Sequence, residues 1–171
     1  MSRYAVGLSY IGEAYCGYQA QGNGLSIAEA LMSAISCVAN HEVKLGCAGR
    51  TDAGVHALLQ VIHFDSDAER TEYQWLKGIN ANLPNDIKIL WVRKVPDVFH
   101  ARFSAKSRAY VYVLNPAGDD LFMDAYSWQV GPLDINKMQQ AGEYLLGEHD
   151  FHAFQSRHCQ ARHAIRRIDA I

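Results

Sequence analysis

Ala48-Gly49-Arg50-Thr51-Asp52-Ala53-Gly54-Val55-His56-Ala57 sets an acid two residues from a guanidinium, between two glycines, with apolar sequence on either side. Glycine accepts backbone angles that other residues avoid and lets other groups come close to the main chain. A loop of this make-up can hold a short carboxylate at the rim of a sheet. Arg50 is placed to pair with Asp52 and keep it ionised, because a nearby opposite charge lowers an acid's pKa. An ionised, oriented carboxylate suits a nucleophile better than a general acid. A plainer reading fits the same residues: a tight turn whose Asp52 caps its own backbone and whose Arg50 faces water.

Outward from this loop, the chain reads as two strands that meet at it. Lys44 to Ala48 leads in, and Val55 to Phe64 leads out through Val61, Ile62 and Phe64. Before them, Tyr4, Val6, Leu8 and Tyr10 alternate with small residues, a period of two that predicts a strand with one bulky face. A glycine-bearing loop, Gly12 to Gly24, follows and carries Tyr15, Tyr18, Gln19 and Gln21. Ser26 and Glu29 then form a capping box ahead of a helix whose Ile27, Leu31, Ile35 and Val38 fall on one stripe. Thr71 and Gln74 repeat the signal, with Leu76, Ile79 and Leu83 on one face and Pro84 ending the helix. Ile87, Ile89, Trp91 and Val95 predict a further strand. The order is β-α-β-β-α-β, the ferredoxin-like split pattern, and it assigns residues 1–97 to one half of an α+β protein.

Residues 98–171 predict a second half. Tyr110, Tyr112 and Leu114 alternate with Val111 and Val113, which reads as a strand buried on both faces or nearly so. A loop with Gly118, Asp119 and Asp120 comes next. Asp134 caps a helix with Met138, Ala141 and Leu145 on its face and Gly147 as its stop. Arg157, Arg162, Arg166 and Arg167 make a basic run among histidines, and Ile165, Ile168 and Ile171 read as a strand just begun.

Composition narrows the function classes. Sixteen Lys and Arg against eighteen Asp and Glu give a formal charge of -2, so any RNA surface is a local patch rather than a global basic field. The cysteines Cys16, Cys37, Cys47 and Cys159 lack CxxC spacing, which favours reduced thiols in a cytoplasmic protein. No apolar run is long enough to span a bilayer, and no signal-peptide core opens the chain. His149, His152, His158, Cys159 and His163 cluster, but without paired-cysteine or H-E-x-x-H spacing, and no metal is expected there. Neither a phosphate-binding G-x-x-x-x-G-K-[ST] nor a G-x-G-x-x-G is present, so no nucleotide cofactor is expected. No G-x-S-x-G or cysteine nucleophile motif is present either, which leaves Asp52 as the strongest candidate nucleophile.

Six stretches, in order, carry a resemblance. Gly49 to His56 resembles the signature of the tRNA pseudouridine synthase A family. Tyr15-Cys16-Gly17-Tyr18-Gln19-Ala20-Gln21, Asn80-Ala81-Asn82-Leu83-Pro84, Phe99-His100-Ala101-Arg102-Phe103-Ser104-Ala105, Arg108-Ala109-Tyr110-Val111-Tyr112 and Leu145-Leu146-Gly147-Glu148-His149-Asp150-Phe151 agree with it. Ala28 departs from it, standing where the family usually shows Gln. The resemblance implies the pseudouridine synthase fold of two ferredoxin-like halves, the second incomplete at the C-terminus. It implies isomerisation of uridine to pseudouridine at positions 38–40 in the anticodon stem-loop of tRNA, by a homodimer and without a cofactor.

In that reading Asp52, Arg50 and Tyr110 are the catalytic residues. Asp52 attacks C1′ or takes the C2′ proton, a choice the sequence leaves open. Arg50 fills the space of the flipped base or holds a phosphate, and Tyr110 stacks on the uracil. His100, Arg102, Phe103, Lys106, Arg108, His158 and Arg162 are the expected RNA contacts, cations for the backbone and flat faces for bases. The Tyr15 to Gln21 loop is a further candidate RNA-contacting element. The competing reading is a non-catalytic RNA-binding module on the same fold. Because the family continues past the position matching Ile171, the chain is expected to be a partial or shortened form that turns over tRNA poorly.

Overall fold

Alternating bulky and small residues from Ser2 to Tyr10 form β1, with Tyr4, Val6, Leu8 and Tyr10 buried on one face. The computed structural model describes residues 1–22, 24–116, 118, 121–124, 126–155 and 163–171, in two compact units, Met1–Arg108 and Ala109–Ile171. The first unit continues with α1 (Ile27–Ala39), β2 (Gly46–Cys47), β3 (Ala57–Ser66), α2 (Glu72–Asn82) and β4 (Ile87–Val95). Both helices begin at the expected capping boxes. Ser26 accepts from the Glu29 backbone and Thr71 from that of Gln74, while each reaching side chain returns a bond to the cap. These reciprocal bonds occupy two of the donors that every helix start leaves open.

The strands lie in the order β2-β3-β1-β4, every neighbouring pair antiparallel. That is the ferredoxin-like arrangement expected for this half of an α+β protein. Register places Val6 opposite Ile62 and Val92, and Tyr4 opposite Phe64. These side chains meet Leu31 and Ile35 of α1 and Trp75 and Ile79 of α2 in one core. Tyr4, Phe64 and Trp75 pack with ring centroids 5.0 to 5.4 Å apart. Such pairs each add about 0.5–1.5 kcal/mol beyond the burial of their surface.

The first compact unit extends past β4 to Arg108, because the segment after β4 folds back onto the sheet. Arg3 of β1 forks onto the Asp65 carboxylate of β3 at 2.8 and 2.7 Å. Its remaining nitrogen donates to the carbonyls of Asp97 and Phe99, and Ala101 is buried. Long-range bonds of this kind leave no local trace in the sequence.

The second unit consists of β5 (Leu114–Asn115), α3 (Leu121–Asp124), β6 (Trp128–Gln129), α4 (Ile135–Glu143), β7 (Gly147–Asp150), a 3-10 turn at His152–Phe154 and β8 (Ile165–Ile168). β5 pairs with β6 in parallel and β7 with β8 antiparallel, so its described residues form two small sheets. Asp134 caps α4 as expected, accepting from the Lys137 backbone at 3.0 Å. The strand expected from Tyr110 to Leu114 is corrected. Only Leu114 and Asn115 pair, and Tyr110, Val111 and Tyr112 are exposed. Alternation supplies a face, but a strand also needs a neighbour to complete its ladder, and among the described residues only Trp128 and Gln129 provide one.

Candidate active site

The Asp52 loop bridges β2 and β3 at the rim of the first unit's sheet. At its entrance the Gly49 carbonyl accepts from the Gln60 side chain at 2.7 Å, and the Ala48 carbonyl accepts two bonds from Arg108 at 3.1 and 2.6 Å. Tyr10 and Thr51 share a hydroxyl–hydroxyl bond of 2.8 Å, and the Tyr18 amide donates to the Thr51 carbonyl at 2.9 Å. The loop closes as a turn in which the Val55 amide donates to the Asp52 carbonyl at 3.3 Å, with Gly54 in the left-handed region at φ 77°. Beyond the turn, the Gly12 amide donates to Nδ1 of His56 at 3.1 Å. The loop's main chain is therefore held from both sides while the Asp52 side chain stays exposed.

The expected ion pair between Arg50 and Asp52 is corrected. Among the described residues no ion pair joins them. Both side chains are exposed, where solvent screening leaves such a pair worth at most about 1 kcal/mol, too little to dictate the loop. The plainer turn reading is met in part, since Arg50 faces water, although the Asp52 carbonyl rather than its carboxylate closes the turn.

Arg50, Arg102 and Arg108 gather at the entrance of the loop. Arg108 donates to the Arg102 carbonyl as well as to Ala48, so it ties the 99–108 segment to the loop's entrance. Arg50 and Arg102 both act on Cys47, whose thiol is pushed up by burial and pulled back partly by these two charges. Lys106 is exposed in the same segment. Phe103 stacks near His100, ring centroids 4.4 Å apart, with the Arg102 guanidinium 5.7 Å above the Phe103 ring. Flat faces and cations thus alternate along one exposed segment, as RNA contact requires. Tyr110 belongs to the second unit, where it is 76% exposed and outside any strand. His158 and Arg162 lie outside the described residues.

Tyr15 and Tyr18 behave differently from the expected RNA-contacting loop. Each is only 4% exposed and both join the core; the Tyr15 phenol donates to Asp86 at 2.7 Å. Their rings are thereby withdrawn from any RNA surface, leaving Gln19 and Gln21 exposed. Tyr10, Gly12 and Tyr18, which the motif reading left without a role at Asp52, form the bed of that loop. The available signal was the strong alternation of β1, which ends at Tyr10 just before the glycine at 12.

His63 was also missed. It lies opposite Ala5 and Gly46, on the sheet face away from the helices. Its Nδ1 accepts from the Ala101 amide at 3.3 Å, and its ring packs 4.6 Å from that of His100. Gly46 makes the socket, because a Cβ there would lie 2.0 Å from the ring. Burial lowers the His63 pKa, helped by His100 and Arg3 and opposed by Asp65. The unfolded chain therefore takes up a proton near pH 6.5, and the folded chain only at lower pH. Stability should be level above that pH and fall as the pH drops through and below it. Urea unfolding across pH 5 to 8 measures this, and His63→Phe should flatten the acid slope. An unchanged slope in that variant would assign the proton uptake to another group.

Among the described residues no three ligand-type side chains converge as a metal site. His149 and His152 make local bonds to the Leu146 carbonyl and the Gln155 side chain. No described helix is long and apolar enough to cross a membrane.

Comparison with known proteins bears on the same region. A family model described as tRNA pseudouridine synthase matches residues 8–104, a span that contains the Asp52 loop, its bed and most of the basic segment. The tRNA pseudouridine synthase A of Vibrio cholerae is 50% identical over 168 residues, 97% of this chain and 64% of that protein. Its namesake from Hydrogenovibrio crunogenus is 44% identical over 98% of this chain and 65% of its own length. That of Coxiella burnetii is 46% identical over 98% and 65%. The chain spans less than two thirds of the length of these relatives. A match over more than half the chain, centred on an anchored Asp52 loop within a ferredoxin-like unit, places the chain in the tRNA pseudouridine synthase family.

Proposed function

We propose that this chain isomerises uridine to pseudouridine in tRNA, with Asp52 as the reacting carboxylate. The observation that supports it most is an exposed Asp52 on a loop whose main chain is bonded on both sides, within the stretch matched by the family. In one route an Asp52 oxygen bonds to C1′ as the N1–C1′ bond breaks, the uracil leaving with the electron pair. The uracil then turns, C5 attacks C1′ and displaces the carboxylate, as in retaining glycosidases, and the proton that C5 loses is matched by one gained at N1. In the other route Asp52 removes the C2′ proton as the N1–C1′ bond breaks, leaving a glycal; C5 then bonds to C1′ while C2′ regains its proton from Asp52, and the proton that C5 loses is matched by one gained at N1. Atoms and charge balance in both without an oxidant, reductant or co-substrate.

The target base must leave its stack to reach the carboxylate. Arg50 is suited to the vacated space or to a phosphate, and Tyr110 to stacking on the uracil. His100, Arg102, Phe103, Lys106 and Arg108, with His158 and Arg162, supply the RNA contacts. The finer reading is uridines 38–40 of the anticodon stem-loop, bound by a homodimer in the cytoplasm.

The test is tritium release from tRNA carrying uridine labelled at C5, since that position loses its hydrogen when it bonds to C1′. Release with this chain supports the proposal; tRNA binding without any release would favour a binding module instead. Arg102→Ala should weaken tRNA binding and flatten its dependence on salt by roughly one counterion. An unchanged slope would mean that Arg102 does not meet a phosphate.

A further inference from the structure

The residue before Asp52 is fixed more firmly than Asp52 itself. The Thr51 hydroxyl is engaged by the Tyr10 phenol and its carbonyl by the Tyr18 amide. Tyr10 is the last core-facing residue of β1 and is buried, so its ring cannot follow a moving loop. Burial also pushes its pKa up, which keeps the phenol protonated. After Asp52, the Gly54 amide donates to the Tyr15 carbonyl at 3.4 Å. The fit between the two segments is close. A Cβ on Gly12 would lie 2.0 Å from the Val55 carbonyl oxygen, and one on Gly17 would lie 2.9 Å from that of Thr51, with Gly17 itself at φ 96°. The backbone on either side of Asp52 is thus set against residues 12–18, and the carboxylate keeps only its own side-chain rotations.

We propose that Tyr10 and Thr51 are a positioning pair: their hydroxyl–hydroxyl bond transmits the rigidity of the β1 core to Asp52 and sets where its carboxylate stands. The inference rests on the reading of Asp52 as the reacting group. Neither residue touches substrate in this account; both act through Asp52. The contribution is geometric, and misplacement of a reacting group by about 1 Å can cost about 100-fold in rate.

Four variants decide it: Thr51→Val, Thr51→Ser, Tyr10→Phe and the double Thr51→Val/Tyr10→Phe. In the tritium-release assay, Thr51→Val and Tyr10→Phe should each lower kcat by about 10- to 100-fold while KM stays within about twofold. Thr51→Ser, which keeps the hydroxyl, should stay near the parent. The double variant should lose no more than either single one, because both remove the same bond. Equal behaviour of Thr51→Val and Thr51→Ser, or losses that multiply in the double variant, overturns the pair. Amide hydrogen exchange on the same proteins reads the pair without needing turnover. Exchange at Gly54 and Val55 should rise several-fold in Thr51→Val and Tyr10→Phe while Val6 and Ile62 in the sheet stay as in the parent. Unchanged loop exchange, or a rise shared by the sheet, also overturns it. If the parent makes no pseudouridine, the proposed reaction fails, and exchange alone decides the positioning pair.

Discussion

Asp52→Ala is expected to lower pseudouridine formation by at least about 1,000-fold, the scale of losing a group that bonds to the reacting carbon or takes its proton. Affinity for tRNA should stay within a few-fold of the parent or rise slightly, because the variant removes a negative charge from an RNA-facing rim. Fold stability should barely change, since the side chain is exposed and the turn closes through the Asp52 carbonyl, which alanine keeps. Asp52→Asn refines the result by keeping size and polarity while removing the charge. Single-turnover assays with the purified variants, beside filter binding of the same tRNA, provide both numbers. Substantial turnover by Asp52→Ala would remove the carboxylate from the mechanism.

Trp75→Ala is expected to cost about 3–5 kcal/mol of stability, the usual range for deleting a buried large aromatic side chain. That is a large share of the roughly 5–15 kcal/mol that holds a typical domain together. The position is severe because α2 has only two fully buried side chains, Trp75 and Ile79. Trp75 reaches from it to Tyr4 on β1 and Phe64 on β3. Its indole N–H has no hydrogen-bond partner among the described residues. Trp75→Phe should therefore cost much less, since it gives up volume but no polar bond. Urea unfolding monitored by far-ultraviolet circular dichroism tests both. A loss below about 1 kcal/mol for Trp75→Ala would mean that α2 is held by other contacts.

The structure also explains why the motif around Asp52 needs the strand and loop that precede it by some forty residues. Gly49 to His56 carries the chemistry, but its backbone shape is completed by Tyr10, Gly12, Tyr15 and Tyr18. A fragment that kept the signature and lost β1 would lose the surface against which the loop is set.

The elements of the first unit were determined by the sequence itself. Periods of two and 3.6 residues, two capping boxes and Pro84 are short-range signals, and each acts through neighbours within a turn or a strand pair. They suffice for β1, α1, β3, α2 and β4, and the motif order suffices for the family. Other outcomes depended on partners far along the chain. Arg3 meets Asp65 and the carbonyls of Asp97 and Phe99, so the 99–108 segment joins the first unit. Tyr15 and Tyr18 turn inward and join the same buried cluster as Leu8 and Ile27. Arg50 and Asp52 stay apart because solvent leaves their attraction weaker than the backbone bonds that shape the loop. Tyr110 to Tyr112 alternate like a strand and are not one, because a ladder needs a second chain segment. Local sequence decides what a segment can become; burial and hydrogen-bond partners, supplied only by the tertiary structure, decide which of those possibilities is realised.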